Sequence, residues 1–289
     1  YRRQRQMCIR DRYNVLHGYT SELDSTLFYG NITPVAKDRK LTVTINTYGE
    51  DIEGVAYKIR SLEDKSLIEN TEVSDYDNAG SSINVTFNIK NLLDTGKEYA
   101  LEVVLKTKKH EAVYYYTRIV YGVDYDLQKK LDFVMDFNAC TFDDSRLKDI
   151  AGYLETSSSG DNTNYGKVNI NCSLSQVGWG DLDPYVESDI MPEVISVDDD
   201  VAILRLSYRV GAANDYSSSD TYTVSEYYRI RQTNSGFYLL NFEREMNQVF
   251  DARNDLTSTA KINLGINSST DVNCASDEKG IYTLSLIHI

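Results

Sequence analysis

The sequence predicts a β-rich, two-domain protein in which a β-sandwich precedes an α+β domain of two helices and an antiparallel meander, followed by a truncated β tail. Apolar and polar residues alternate over residues 13–122, as they do in half-buried strands. After residue 123 the apolar period changes to about 3.6, which indicates helices, and long alternating runs return before residue 253. A chain of 289 residues is also longer than one typical domain.

The first region, residues 13–122, contains about seven short apolar runs at a spacing suited to a sandwich. Residues 83–89 show the pattern most clearly, because Ile83, Val85, Phe87 and Ile89 are separated by polar side chains. The predicted strands are residues 27–32, 41–45, 55–59, 66–68, 83–89, 99–105 and 113–121.

Residues 92–103 (LLDTGKEYALEV) carry a local motif. They resemble the corner before strand F of fibronectin type III domains, so the region is similar to a fibronectin-III-like or Ig-like sandwich. The resemblance implies structural roles for Leu93, Gly96 and Tyr99, with the Tyr99 hydroxyl bonding back to the corner and tying two sheets together. The region departs from that family in having no Trp on its second strand.

The second region, residues 123–253, predicts two helices and three longer strands. Leu127, Leu131, Val134 and Met135 line one helix face, and Leu147, Ile150, Ala151 and Leu154 line the next. Residues 141–144 (TFDD) match a capping box before the second helix. The predicted strands are residues 201–210, 221–231 and 237–243.

This order of elements is similar to the cystatin-like or NTF2-like α+β cone. The combined layout also resembles uncharacterised cell-envelope proteins of gut clostridia. That resemblance implies an extracytoplasmic, cell-surface or membrane-anchored setting and no known reaction.

One glutamate is a candidate catalytic residue. Glu226 shares a predicted strand face with Val224, Tyr228 and other apolar side chains, and a carboxylate in such surroundings can act as an acid or base. The alternative is that Glu226 faces solvent near a sheet edge or pairs with an arginine. No nucleophile elbow, P-loop, GxGxxG or HExxH motif accompanies it.

Trp179, the only tryptophan, lies in a Gly-Trp-Gly-Asp loop and is a candidate binding residue. It could stack on a sugar ring or anchor the loop onto the core. Asp161, Asn162, Asn164 and Gly166 only partly match a calcium loop, so neither a metal site nor a cofactor is predicted.

The two chain ends, residues 1–12 and 284–289, are expected to be adapter artefact. Back-translated, they resemble the adapter and mosaic end of a tagmentation sequencing library and its reverse complement. The native part of this metagenomic fragment would then be residues 13–283, and a signal peptide or membrane anchor could lie outside it. Residues 254–283 would begin a further β domain cut short by the fragment.

The chain is acidic, with a formal net charge of −14. Because residues 1–12 contain five Arg and one Asp, the native part carries −18. Such a charge argues against nucleic-acid binding and against docking on anionic lipids, so a membrane would be reached only through a missing anchor. Only His17 and His110 are native histidines, which leaves little material for histidine-based catalysis.

The native cysteines, Cys140, Cys172 and Cys274, show no metal-binding spacing. The sequence is compatible with three buried free thiols and also with one disulfide plus one free thiol.

These observations predict a non-catalytic extracytoplasmic binding or structural protein of a bacterial cell envelope, with a protein or glycan ligand. The alternative is an accessory region of an extracellular enzyme, with carbohydrate as the candidate substrate, whose catalytic part is missing or lies in the α+β domain.

Overall fold

The computed structural model describes residues 13–47, 49–76, 82–90, 92–213, 219–249, 272–277 and 280–285, the last two ranges as backbone only. Residues 1–12 and 286–289, assigned above to adapter, lie outside the described residues. Residues 254–271 of the predicted tail also lie outside them. The protein is β-rich and contains several separate sheets.

The first region forms two sheets from seven strands. The strands are β1 (Ile32–Val35), β2 (Lys40–Asn46), β3 (Ile52–Ser61), β4 (Leu67–Val73), β5 (Ser82–Asn88), β6 (Glu98–Thr107) and β7 (Val113–Tyr121). One sheet has the order β1-β7-β6-β3-β4, and the other is the pair β2-β5. Alternation along the strands buries one face of each sheet, such as Tyr57 on β3 and Phe87 on β5, in a single core.

The start of this region differs from the expected strand at residues 27–32. A short 3₁₀ helix, Ser25–Leu27, occupies part of that stretch because the Asp24 carboxylate accepts a hydrogen bond from the Thr26 N–H and fixes the turn. The strand itself begins at Ile32 and pairs in parallel with β7. Its Pro34 is tolerated because β1 is the last strand of its sheet.

The second region mixes short helices with a larger sheet. Its elements are α1 (Leu127–Thr141), a 3₁₀ helix (Leu147–Tyr153), β8 (Lys167–Asn169), α2 (Leu174–Val177), a 3₁₀ helix (Gly180–Leu182), β9 (Tyr185–Val186), β10 (Met191–Val197), β11 (Val201–Ala213), β12 (Ser219–Thr233) and β13 (Gly236–Gln248). The sheet order is β10-β11-β12-β13-β8, and β9 pairs with β11. The predicted second α-helix is thus a 3₁₀ helix, and no side chain caps its start.

In the tail, β14 (Val272–Asp277) and β15 (Gly280–Ser285) pair in antiparallel fashion. Within the part of the chain that the structure describes, no helix is long and apolar enough to cross a membrane.

Contacts divide the chain into two compact units. Unit 1 comprises Tyr1–Phe133, Met191–Arg205 and Arg229–Tyr238. Unit 2 comprises Val134–Ile190, Leu206–Tyr228 and Leu239–Ile289.

Two buried polar side chains hold unit 1 together. Asn14, at a φ of 59°, donates to the Ile32 carbonyl and accepts from the Val194 N–H, so it joins β1 to β10. Lys130 on α1 is fully buried, and its ammonium donates to the carbonyl oxygens of Tyr125 (2.7 Å), Asp198 (2.6 Å) and Asp199 (3.0 Å). The three hydrogen bonds that Lys130 donates therefore connect the start of α1 to the turn after β10.

Candidate functional site

A buried polar cluster in unit 2 surrounds Glu226, which lies on β12 and is fully buried. Three neutral donors meet its carboxylate. Asn138 Nδ2 on α1 donates over 2.8 Å, the Tyr208 hydroxyl on β11 over 3.0 Å, and the Tyr228 hydroxyl over 2.7 Å. Strand alternation puts Glu226 and Tyr228 on the same inward face, which brings both polar groups to the same point.

Arg244 on β13 completes the cluster from the neighbouring strand. It is fully buried, and its Nη1 lies 3.8 Å from Glu226 Oε1, so the two opposite charges are paired inside the fold. Its guanidinium also donates to the carbonyl oxygens of Val177 (2.8 Å) and Gln176 (3.0 Å), at the end of α2. Those two bonds attach the end of α2 to the sheet.

Trp179 covers the other side of Arg244. The Arg244 guanidinium lies 3.4 Å from the centre of the indole ring, and Phe142 packs against the same ring at 5.3 Å between centroids. The loop geometry depends on the glycine before the tryptophan, because a Cβ at Gly178 would lie 2.4 Å from Leu147 Cδ2. Trp179 itself has a left-handed φ of 69° and only 1% of its surface is exposed.

The structure therefore brings together the two candidate residues of unit 2, Glu226 and Trp179, through Arg244. None of these side chains reaches solvent, and the indole faces are covered by protein rather than open to a sugar. Two donors of the cluster, Trp179 Nε1–H and Arg244 Nε–H, have no hydrogen-bond partner, and nothing in the described residues explains them.

The outer face of the same sheet carries an open trough of about 390 Å³. Ser207, Thr223 and Ser225 line it, and they alternate along their strands with the buried Tyr208, Val224 and Glu226. The carboxylate of Glu226 therefore lies on the face opposite the trough.

Burial controls the electrostatics of the cluster. It raises the pKa of Tyr208 and of Tyr228 well above the usual tyrosine value, and the charge of Glu226 raises both further. Burial lowers the pKa of Arg244, while Glu226 opposes that shift. The cluster therefore combines two phenols that stay protonated at neutral pH with the ion pair of Glu226 and Arg244.

These shifts predict a loss of stability in alkali. A tyrosine whose pKa is raised in the folded state contributes stability below its unfolded pKa of about 10, and that contribution is lost as the pH rises further. The free energy of unfolding should therefore fall above pH ~10 by about 1.4 kcal/mol per pH unit for each buried tyrosine. Urea denaturation between pH 8 and 11 measures this free energy. Tyr228→Phe should make its decrease with pH less steep. Tyr29→Phe, at an exposed position, should leave the decrease unchanged. An unchanged slope in Tyr228→Phe would contradict the prediction.

The three residues predicted to have structural roles lie together in unit 1. The Tyr99 hydroxyl accepts a hydrogen bond of 2.8 Å from the Asp94 backbone N–H. Gly96 has a φ of 77°, a conformation that favours glycine, and Leu93 is buried in the core of the first region. The Tyr99 bond thus closes the turn just before β6.

Removing the Tyr99 hydroxyl should destabilise the first region. We expect Tyr99→Phe to lower the free energy of unfolding by about 1–2 kcal/mol, because the buried corner loses a hydrogen bond while the ring stays in place. Urea denaturation is the measurement, with Tyr29→Phe as a control at a ring that is 63% exposed. Equal effects of the two substitutions would argue against a closed corner.

The loop that partly matched a calcium site uses its oxygens internally. Asp161 Oδ1 accepts from the Thr163 N–H, Asn162 Oδ1 from the Ser173 N–H, and Asn164 Oδ1 from the Gly166 N–H. Among the described residues no group of three or more His, Cys, Asp or Glu side chains is arranged to hold a metal ion.

The described cysteines, Cys140 and Cys172, are buried and free. The Cys172 thiol donates to the Asp161 carbonyl over 3.3 Å. The side chain of Cys274 lies outside the described residues.

Comparison with known proteins adds no relative: no family model matches the chain, and no curated protein matches it.

Arg244 is the member of the buried cluster that sequence reasoning did not identify. It follows a strand that was predicted to end at residue 243, and a charged residue is rarely expected inside a core. A sequence signal for its burial was present. The period-two alternation of the strand continues through Phe242, Arg244 and Met246, and all three are buried.

Proposed function

We propose that the chain is a non-catalytic binding or structural protein of a bacterial cell envelope, working outside the cytoplasm. The observation that carries the proposal is the state of Glu226. Its carboxylate is fully buried and already held by Asn138, Tyr208 and Tyr228, with Arg244 balancing its charge. A general acid or base must instead reach a proton of the substrate.

Two further features support a binding or structural role. The first region would be an Ig-like or fibronectin-III-like sandwich: its β3, β6 and β7 are neighbours in one sheet and β2 and β5 pair in the other, as strands C, F, G and B, E do in that fold. The Tyr99 bond to Asp94 occupies the corner before the strand that would be F. The second region would be an α+β domain.

The net charge of the protein restricts the classes of partner that it can bind. With a net charge of −14, the protein is unsuited to nucleic acid and to anionic lipid surfaces, so a protein or glycan ligand is the proposal. The chain is rich in Tyr (23 residues) and poor in Pro (3 residues), a composition that suits β-strands.

A co-sedimentation experiment tests this function. The labelled protein is mixed with bacterial cell-wall preparations, either intact or stripped of protein or of attached polysaccharide, and the pellets are analysed. We expect saturable binding without release of new reducing ends or peptides. Steady turnover of any wall component by the purified protein would overturn the non-catalytic assignment, and absence of binding to every preparation would overturn the envelope role.

A further inference from the structure

An open groove of about 630 Å³ lies in unit 1 on the outer face of the five-stranded sheet. Strands β3 and β6 form its floor, and the loop between β6 and β7 forms one end. We call it the β3–β6 groove. Its lining residues include Ala56, Lys58, Val104, Lys106, His110 and Tyr114.

The strand register arranges these side chains in rows. Ala56, Val104 and Tyr114 are direct neighbours across β3, β6 and β7, so they form an apolar strip that ends in an aromatic ring. Lys106 lies in the row on one side, opposite Gly54, and Lys58 lies in the row on the other side. Each row is two residues, or about 7 Å, from the strip.

The N-terminal segment fills the part of this face next to the groove. Tyr19 and Phe28 pack against the ring of Tyr116, and the Tyr116 hydroxyl accepts a hydrogen bond from the Leu23 N–H over 2.7 Å. The backbone of Tyr19 pairs with that of Tyr114 at the border of the covered area. Beyond this border the strip lines the groove, with Ala56 and Tyr114 half-buried and Val104 only 9% exposed.

Four basic side chains line the groove, Lys58, Lys106, Lys109 and His110, although the chain as a whole is acidic. Lys58 pairs with Glu22 and Glu102. Lys109 pairs with Glu50.

Lys106 and His110, by contrast, have no ion-pair partner among the described side chains, and the only acid in the lining is Glu111. On a protein of net charge −14, an unpaired lysine beside an apolar strip is a position where an anion is attracted rather than repelled.

The floor also limits the kind of ligand. β3 is paired with both β4 and β6, and β6 with both β3 and β7, so neither strand offers free backbone groups to an added peptide strand. A ligand must be held by side chains alone. A sugar acid meets that requirement, because its carboxylate can pair with a lysine while the face of its ring packs on an aromatic side chain.

We propose that the β3–β6 groove binds an acidic oligosaccharide, with carboxylates at Lys106 and His110 and a sugar ring on Tyr114. This inference rests on the proposed binding function and names its ligand class and site.

Titration calorimetry with a hexamer of galacturonic acid tests the site. We expect a dissociation constant on the order of 0.1–1 mM that weakens with salt. Lys106→Glu should weaken binding by about tenfold or more, because it places a like charge at the carboxylate. Tyr114→Ala should weaken it by about fivefold through loss of ring packing. Lys148→Glu, at an exposed lysine of unit 2, is the matched control and should leave affinity unchanged.

Two further probes complete the test: maltohexaose, which is uncharged, and a hexamer of glutamate, which is acidic but carries no rings. Both should bind more weakly than the galacturonate hexamer. The site assignment fails if galacturonate does not bind at millimolar concentrations, or if it binds equally to the wild type, Lys106→Glu and Tyr114→Ala. It also fails if the glutamate hexamer binds as well as the sugar acid. Any of these results, combined with saturable binding to cell walls, would overturn the groove assignment and leave the proposed function standing.

Discussion

Replacing Arg244 by methionine should destabilise unit 2 by about 3–5 kcal/mol, because the substitution leaves the buried carboxylate of Glu226 without its countercharge. It also removes the donors to the Gln176 and Val177 carbonyls and the cation that packs on Trp179. Urea denaturation followed by tryptophan fluorescence measures the effect, since Trp179 is the only tryptophan and lies in this cluster.

The Glu226→Gln/Arg244→Met double substitution separates loss of charge balance from loss of packing. Because it removes both buried charges, we expect it to be at least about 1 kcal/mol more stable than Arg244→Met alone. Arg229→Met, at an exposed position of β12, should change stability by no more than about 0.5 kcal/mol. A cost below about 1 kcal/mol for Arg244→Met would show that the cluster does not depend on this pairing.

Replacing Lys130 by methionine should cost unit 1 about 3–5 kcal/mol. Methionine fills a similar volume but leaves three buried carbonyl oxygens, those of Tyr125, Asp198 and Asp199, without a donor. Each bond to a charged donor contributes about 1.5–3 kcal/mol, and part of the loss is regained because a buried charge is removed. Thermal and urea unfolding both report the change.

The adjacent Lys129 supplies the control. Its ammonium is mostly exposed and pairs with Asp126 at i,i+3, so Lys129→Met should cost no more than about 0.5 kcal/mol. Similar effects at the two positions would falsify the assignment of a bracing role to Lys130.

Local pattern was enough to locate most strands of the fold. The alternation around Ile83, Val85 and Phe87 lies within β5, and the runs at residues 201–210 and 221–231 lie within β11 and β12. In these segments half of the side chains must be buried on one face, and that requirement is visible in the sequence itself.

Long-range pairing could not be predicted in the same way. β1 is four residues long, contains Pro34, and pairs with a strand more than 80 residues later, so it has no local periodicity to reveal it. The buried positions of Asn14 and Lys130 likewise depend on backbone groups that are distant in sequence. Polar residues are usually exposed, and only the three-dimensional arrangement of their partners reverses that expectation.

The sequence identified two residues of the candidate site, but it did not predict how they are arranged. Glu226 and Trp179 were singled out for separate reasons, an acidic residue on an apolar face and a lone aromatic between glycines. Arg244, which joins them, was not. A pair interaction across strands is a property of register, and register is not encoded by either strand alone.

The parallel pairing of β1 with β7 has a mechanical consequence. Because the two strands run in the same direction, tension applied before Ile32 and after Tyr121 pulls them past each other along their length. The bonds between them, including Arg118 N–H to Asn31 and Gly122 N–H to Val35, then share the load instead of opening one after another. The two sheets of the first region, connected in this way, should resist stretching applied at Ile32 and Tyr121.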